Sequence, residues 1–81
     1  MIYTYLLRSD LSVLNKKRIT TYGIRVIDGN CHTVKSIPHI FLERKKAVEF
    51  VARCNTENLD PIHIDDVIED LKYESKYTLV I

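Results

Sequence analysis

The stretch RITTYGIRVIDGNCHTVKSI, residues 18–37, decides the fold. Within 18–28, Tyr22, Ile24 and Val26 alternate with Thr21, Gly23 and Arg25, the period-two pattern of a strand with one buried face. Asp28, Gly29 and Asn30 then supply residues that tolerate positive φ. Residues 31–37 resume a β-like pattern, so the two runs form an antiparallel hairpin. Gly23 inside the first run marks either a bulge or space for a neighbouring side chain.

Upstream, residues 2–8 (IYTYLLR) place Tyr3, Tyr5 and Leu7 on one side of a further strand. The polar segment SDLSVLNKK reads as its connection to the hairpin, which gives a three-stranded meander. Pro38 ends the third strand, because it cannot donate to a central ladder.

The period changes from Phe41 onward. Leu42, Ala47, Phe50, Val51 and Cys54 share one helical face, with Glu43, Arg44, Lys45, Lys46, Glu49 and Arg53 around the remainder. Residues 55–59 form a turn, Asp60 is an N-cap, and Pro61 opens a second helix over 61–73. That helix turns Ile64, Val67, Ile68 and Leu71 inward and Asp65, Asp66, Glu69 and Asp70 to water. The early aspartates suit the positive end of its dipole. The terminal YTLVI, residues 77–81, reads as a fourth strand that joins the sheet or reaches a neighbouring subunit.

These elements assemble into one α+β domain over residues 1–81: an antiparallel three- to four-stranded β-meander with two helices packed on one face. The chain has 81 residues, 46% hydrophobic and 28% charged, which supports a single core. A core of this size leaves roughly 3–5 kcal/mol of net stability, so self-association is a natural way to bury more surface. No cationic start precedes an apolar run at the N-terminus, and no stretch approaches the ~20 apolar residues of a membrane span. A cytoplasmic protein without membrane association is expected. Cys31 and Cys54 lie outside any close-spaced metal or redox pattern and read as reduced, mostly buried thiols.

The net charge of +1 conceals an asymmetry. Residues 1–54 carry ten Lys or Arg against four Asp or Glu, and residues 55–81 carry two against seven. Either the acidic helix packs beside the basic strands of its own chain, or the charge forms a face for a partner.

The combination of Tyr22-Gly23-Ile24 with the pattern N-x-x-x-L-x-P-I-H-x-x-D-V-I-E-D-x-L over residues 55–71 resembles a small bacterial domain family of unknown function found in Gram-positive lineages. The resemblance implies a compact domain and carries no activity with it. The SDLSVLNKK segment and the terminal YTLVI depart from that pattern.

His63, Asp66 and Asp70 come to one side of a helix and could hold a divalent cation. The spacing of a two-histidine helical metal motif is absent, since Val67 stands four after His63. His32 and His39 would have to be brought close to complete a site, and no cofactor is expected. Cys31 and His32 are sequence neighbours that point to opposite faces of a strand, a poor dyad for nucleophilic catalysis. Only Gly23 and Gly29 are available for a phosphate loop. Lys16, Lys17 and Arg18, with Arg44, Lys45 and Lys46, suggest nucleic-acid binding, opposed by the acidic helix.

The expected function is a non-enzymatic protein-interaction or regulatory module, with a protein partner or a second copy of itself as a homodimer. Tyr22, Arg25, His63, Asp66, Glu69 and Asp70 are its expected contact surface. The alternatives are a nucleic-acid-binding module using the two basic clusters, and a divalent-metal protein or small hydrolase using His63 and Asp66.

Overall fold

Alternating apolar residues build three strands, and residues of helical period build two helices, in the computed structural model of the chain, which describes residues 2–74. Strand β1 is Thr4–Leu14, β2 is Lys17–Ile27 and β3 is Thr33–Phe41. Helix α1 is Arg44–Thr56; a single 3-10 turn, Pro61–His63, then leads into α2, Ile64–Leu71. The strands form one open antiparallel sheet in the order β1-β2-β3, so the fold is α+β. The segment 77–81, expected as a strand, lies outside the described residues.

The hydrophobic effect gathers the buried side chains into one core. Tyr5, Ile24, Val26, Ile40 and Phe41 from the sheet meet Ala47, Phe50 and Cys54 of α1 and Ile64, Ile68 and Leu71 of α2. The Phe41 and Phe50 rings pack tilted, with centroids 5.4 Å apart. Full burial of side chains of this size contributes about 1.5–3 kcal/mol each before chain entropy is set against it. The apolar periods of both helices are therefore borne out at Ala47, Phe50, Cys54, Ile64, Ile68 and Leu71.

Cross-strand pairs set the faces of the sheet. Tyr5 opposes Val26, and Leu7 opposes Ile24, which in turn opposes Ile37. Arg8, Asp10, Thr21, Gly23, Arg25 and Ser36 have the other parity and point to the opposite face.

The helix expected over 61–73 is α-helical only over Ile64–Leu71, and three features of the sheet differ from the expectation drawn from sequence. The first strand does not stop at Arg8. It continues through SDLSVL to Leu14 and pairs with β2 without a register break. Asn15 and Lys16, at φ 53° and 65°, make the two-residue turn of a hairpin, whose paired positive φ matches the twist of the strands. What read as a polar connection is half of a long ribbon.

Second, β3 does not end at Pro38 but runs through it to Phe41, the residue at which the helical period begins. Proline is tolerated because β3 is an edge strand and the register shifts there: Ile24 pairs with Ile37 but Tyr22 pairs with Phe41, so Pro38, His39 and Ile40 form a bulge. Third, the β2–β3 turn puts positive φ on Cys31, at 62°, and not on Gly29. The Asp28 carboxylate holds this turn by accepting from the backbone N–H groups of Asn30 (2.8 Å) and His32 (3.0 Å). Cys31 is exposed and Cys54 buried, so only one of the two thiols expected inside is there.

The bulge explains Gly23. A Cβ at that position would collide with the Ile37 carbonyl oxygen and lie 2.9 Å from Pro38 Cα, so the chain needs a residue without a side chain where β3 crowds β2. The bulge also turns His39 to φ 58° and sets its Nδ1 2.5 Å from the hydroxyl of Thr21, which is fully buried. Gly23→Ala is expected to destabilise the fold by roughly 1–3 kcal/mol or more, because backbone must move. Chemical denaturation of the two proteins measures the difference.

Candidate functional site

Strand β3 meets β2 only between Tyr22 and Ile27. Beyond that point, past buried Thr21, Leu11–Leu14 of β1 and Lys17–Thr20 of β2 continue as an arm with no third strand among the described residues. The molecule is 42 Å long and 18 Å thick, and an eleven-residue strand at about 3.4 Å per residue spans most of that length. Two-stranded ribbons are at best marginally stable alone in water. This one carries Leu11, Val13 and Leu14 at 76%, 68% and 52% exposure, with Lys16, Lys17 and Arg18 around its tip, all exposed.

The hydrogen-bond direction along β1 follows from one side chain. Asn55, in the last turn of α1, clasps the Tyr5 backbone: the Tyr5 N–H donates to Asn55 Oδ1 (2.7 Å) and Asn55 Nδ2 donates to the Tyr5 carbonyl (2.9 Å). The Tyr5 backbone groups thus point away from β2. Because β1 pairs with β2 without a shift from Thr4 to Leu14, Leu7, Ser9, Leu11 and Val13 also point their N–H and C=O outward. The tight turn agrees, since Leu14 and Lys17 close it as the hydrogen-bonded pair. Asn55 covers this edge at Tyr5, and among the described residues nothing pairs with the four odd positions beyond it, which form an open edge.

The other edge is blunted. Along β3, Pro38 lacks a donor and the bulge breaks the line of the strand, devices that discourage edge pairing. The opposite face of the sheet holds a polar group around the arm's base. Arg8 binds Asp10 through two nitrogens (2.8 and 2.6 Å) and donates to Ser36 Oγ (2.6 Å). The guanidinium holds the Asp10 carboxyl below the usual carboxylate range.

The six residues expected as a contact surface are not gathered into one. Tyr22 is half-buried and packed against the core, and Arg25, three residues on, lies on the opposite face of the strand. His63 is exposed at the end of the 3-10 turn, where its backbone N–H donates to the Asp60 carbonyl (2.9 Å). Asp60 caps that turn through its carboxylate, accepting from Ile62 N–H (3.1 Å). Asp66, Glu69 and Asp70 are exposed on α2, with Glu69 paired to Lys72 (3.0 Å). The neighbouring Asp65 pairs with Lys35 of β3 (2.7 Å), so part of the charge asymmetry is met within the chain.

Among the described residues no three His, Cys, Asp or Glu side chains converge as a metal site. The group that sequence reasoning missed is Leu7, Ser9, Leu11 and Val13 with their stop at Asn55. Its signal was present as the alternation of Leu7, Leu11 and Val13 past Arg8.

An open antiparallel meander with two helices and one extended hairpin is thus the class to which this geometry belongs. The chain is a member of a family of unknown function, DUF6514, whose model matches residues 1–74. No curated protein and no solved structure matches it. None of the helices among the described residues is long and apolar enough to cross a membrane.

Two shifted ionisations lie where α1 clasps β1, one on each element. Burial, reinforced by the charges of Cys54, Asp60 and Tyr3, pushes the Tyr5 phenol from 10.0 up to about 12; its hydroxyl donates to the Leu59 carbonyl (2.8 Å). Burial likewise raises the Cys54 thiol from 9.0 to about 11, with Arg53 opposing and Glu57 adding to the shift. Both groups keep their protons longer when folded, so their stabilisation is whole below the unfolded values and is lost as pH rises through the folded ones. Melting temperature is expected to fall between pH 9 and pH 12. Tyr5→Phe should flatten the upper part of that decline and Cys54→Ala the lower part, which melts across the pH series will read.

Proposed function

We propose that the protein is a non-enzymatic protein-interaction module whose contact element is the arm. In this reading both helices cover the Tyr5, Ile24 and Val26 face of the sheet. The hairpin is left to project with one strand edge open. The observation that carries it is the open edge itself: four alternate outward backbone positions, Leu7, Ser9, Leu11 and Val13, of which Leu11 and Val13 also expose apolar side chains. Open edges bind extended chains through main-chain hydrogen bonds, with side chains supplying selectivity.

Leu11→Asp with Val13→Asp tests this, since both side chains are exposed and such surface changes shift folding stability by only about 0.5 kcal/mol. The wild-type protein is expected to retain a stoichiometric protein partner, a second copy included, which the variant loses at unchanged melting temperature. Identical retention by the two proteins would contradict the reading.

A second reading rests on the tip. Lys16, Lys17 and Arg18 are exposed at the end of a two-stranded ribbon, a shape that enters the DNA major groove. Here Lys16→Glu with Lys17→Glu would abolish oligonucleotide binding at about 0.15 M salt, while the Leu11 and Val13 changes would leave it intact.

A further inference from the structure

We infer that the open edge of β1 is occupied by the same edge of a second copy of this chain, in one register centred on Asp10. This deepens the interaction reading above and rests on it.

The register follows from where the edge begins and ends. Asn55 closes it at Tyr5, and the Asn15-Lys16 turn closes it after Leu14. Leu7, Ser9, Leu11 and Val13 are the outward positions between these stops. In an antiparallel pairing of two identical strands, outward residues must oppose outward residues. Only a two-fold axis at Asp10 uses all four, setting Leu7 against Val13 of the second copy and Ser9 against its Leu11. That arrangement makes about eight backbone hydrogen bonds. Moving the axis by one residue either runs into Asn55 or pairs strand with turn. The edge is self-complementary, as a closed dimer requires.

Side chains and charge agree with this register. Leu11 and Val13, exposed in the single chain, come beside Ser9 and Leu7 of the second copy on the sheet face that carries Tyr5. The same register brings Lys16 level with Thr4 of the second copy, next to Tyr5, whose hydroxyl holds the carbonyl of Leu59. The basic tip is thereby directed toward the end of the second copy that carries Asp60, so the unequal charges of the two halves of the chain face one another between copies. The two Asp10 carboxylates meet at the axis, each bound by its own Arg8. The product is a continuous six-stranded sheet in which the β1 strand of each ribbon becomes interior.

Sedimentation equilibrium and cysteine crosslinking test the register together. The wild-type chain is expected to dimerise reversibly. Ser9→Pro removes an outward N–H without touching the β1–β2 ladder, and should raise the dissociation constant by about 100-fold while the melt of the dilute protein is preserved. In a Cys31→Ser background, Asp10→Cys should oxidise to a covalent dimer, because the residues on the axis face each other, and Ser12→Cys should not. A wild-type chain that stays monomeric at every concentration overturns the inference. So does one that dimerises only after residues 75–81 are deleted, since its own C-terminus would then hold the edge. Crosslinking at Ser12 in place of Asp10 would overturn the register. If the copies stay apart while a different protein still binds in an arm-dependent way, this inference fails and the interaction reading stands.

Discussion

Two hydrogen bonds exchanged between the Asn55 side chain and the Tyr5 backbone set the geometry of the rest of the molecule. They tie the last turn of α1 to the edge of the sheet, and they do the work of a missing strand at one position. Tyr5 is also a core residue, with 1% of its surface exposed, and its hydroxyl reaches the carbonyl of Leu59 in the turn between the helices. One residue therefore anchors the sheet, α1 and the entry to α2. Each bond is worth only about 1 kcal/mol net. Their consequence is geometric: with Tyr5 turned outward, strand alternation fixes the direction of every backbone group to the arm's tip.

Much of this was legible in the sequence. The hairpin over residues 18–37 and the apolar faces of both helices appear where their periods place them, because a period is a property of the chain itself. The length of β1 was hidden by Ser9, Asp10 and Ser12, polar residues that look like a loop but are the alternate positions of a ribbon projecting into water. The turn was hidden too, since Asn15-Lys16 lacks the glycine that usually marks paired positive φ. Pro38 misled for a different reason: whether a strand tolerates proline depends on its being at an edge, and strand order is not written in one strand. The separation of Tyr22 from Arg25 was readable from parity alone, as three residues along a strand reverse the face. The clasp of Asn55 on Tyr5 joins residues fifty positions apart, and no local pattern encodes it.

Charge is distributed with the same economy. Lys35–Asp65 settles part of the imbalance inside the chain, at a surface where such pairs contribute about 0–1 kcal/mol. Lys16, Lys17 and Arg18 are carried away from the acidic helix by the length of the ribbon, so their field is presented outward. A small core with a projecting arm has its further stabilisation to gain from association, and the blunted β3 edge leaves β1 as the open side of the sheet among the described residues.

The outward orientation of the Tyr5 backbone is the point from which all of this follows, and amide hydrogen exchange at Tyr5 tests it most directly. The wild-type Tyr5 amide is expected to exchange as slowly as the ladder amides of β1, and Asn55→Ala should release it to the rate of an open strand edge while those ladder amides stay protected. A Tyr5 amide that exchanges fast in the wild-type protein, or that stays protected without Asn55, would contradict the account.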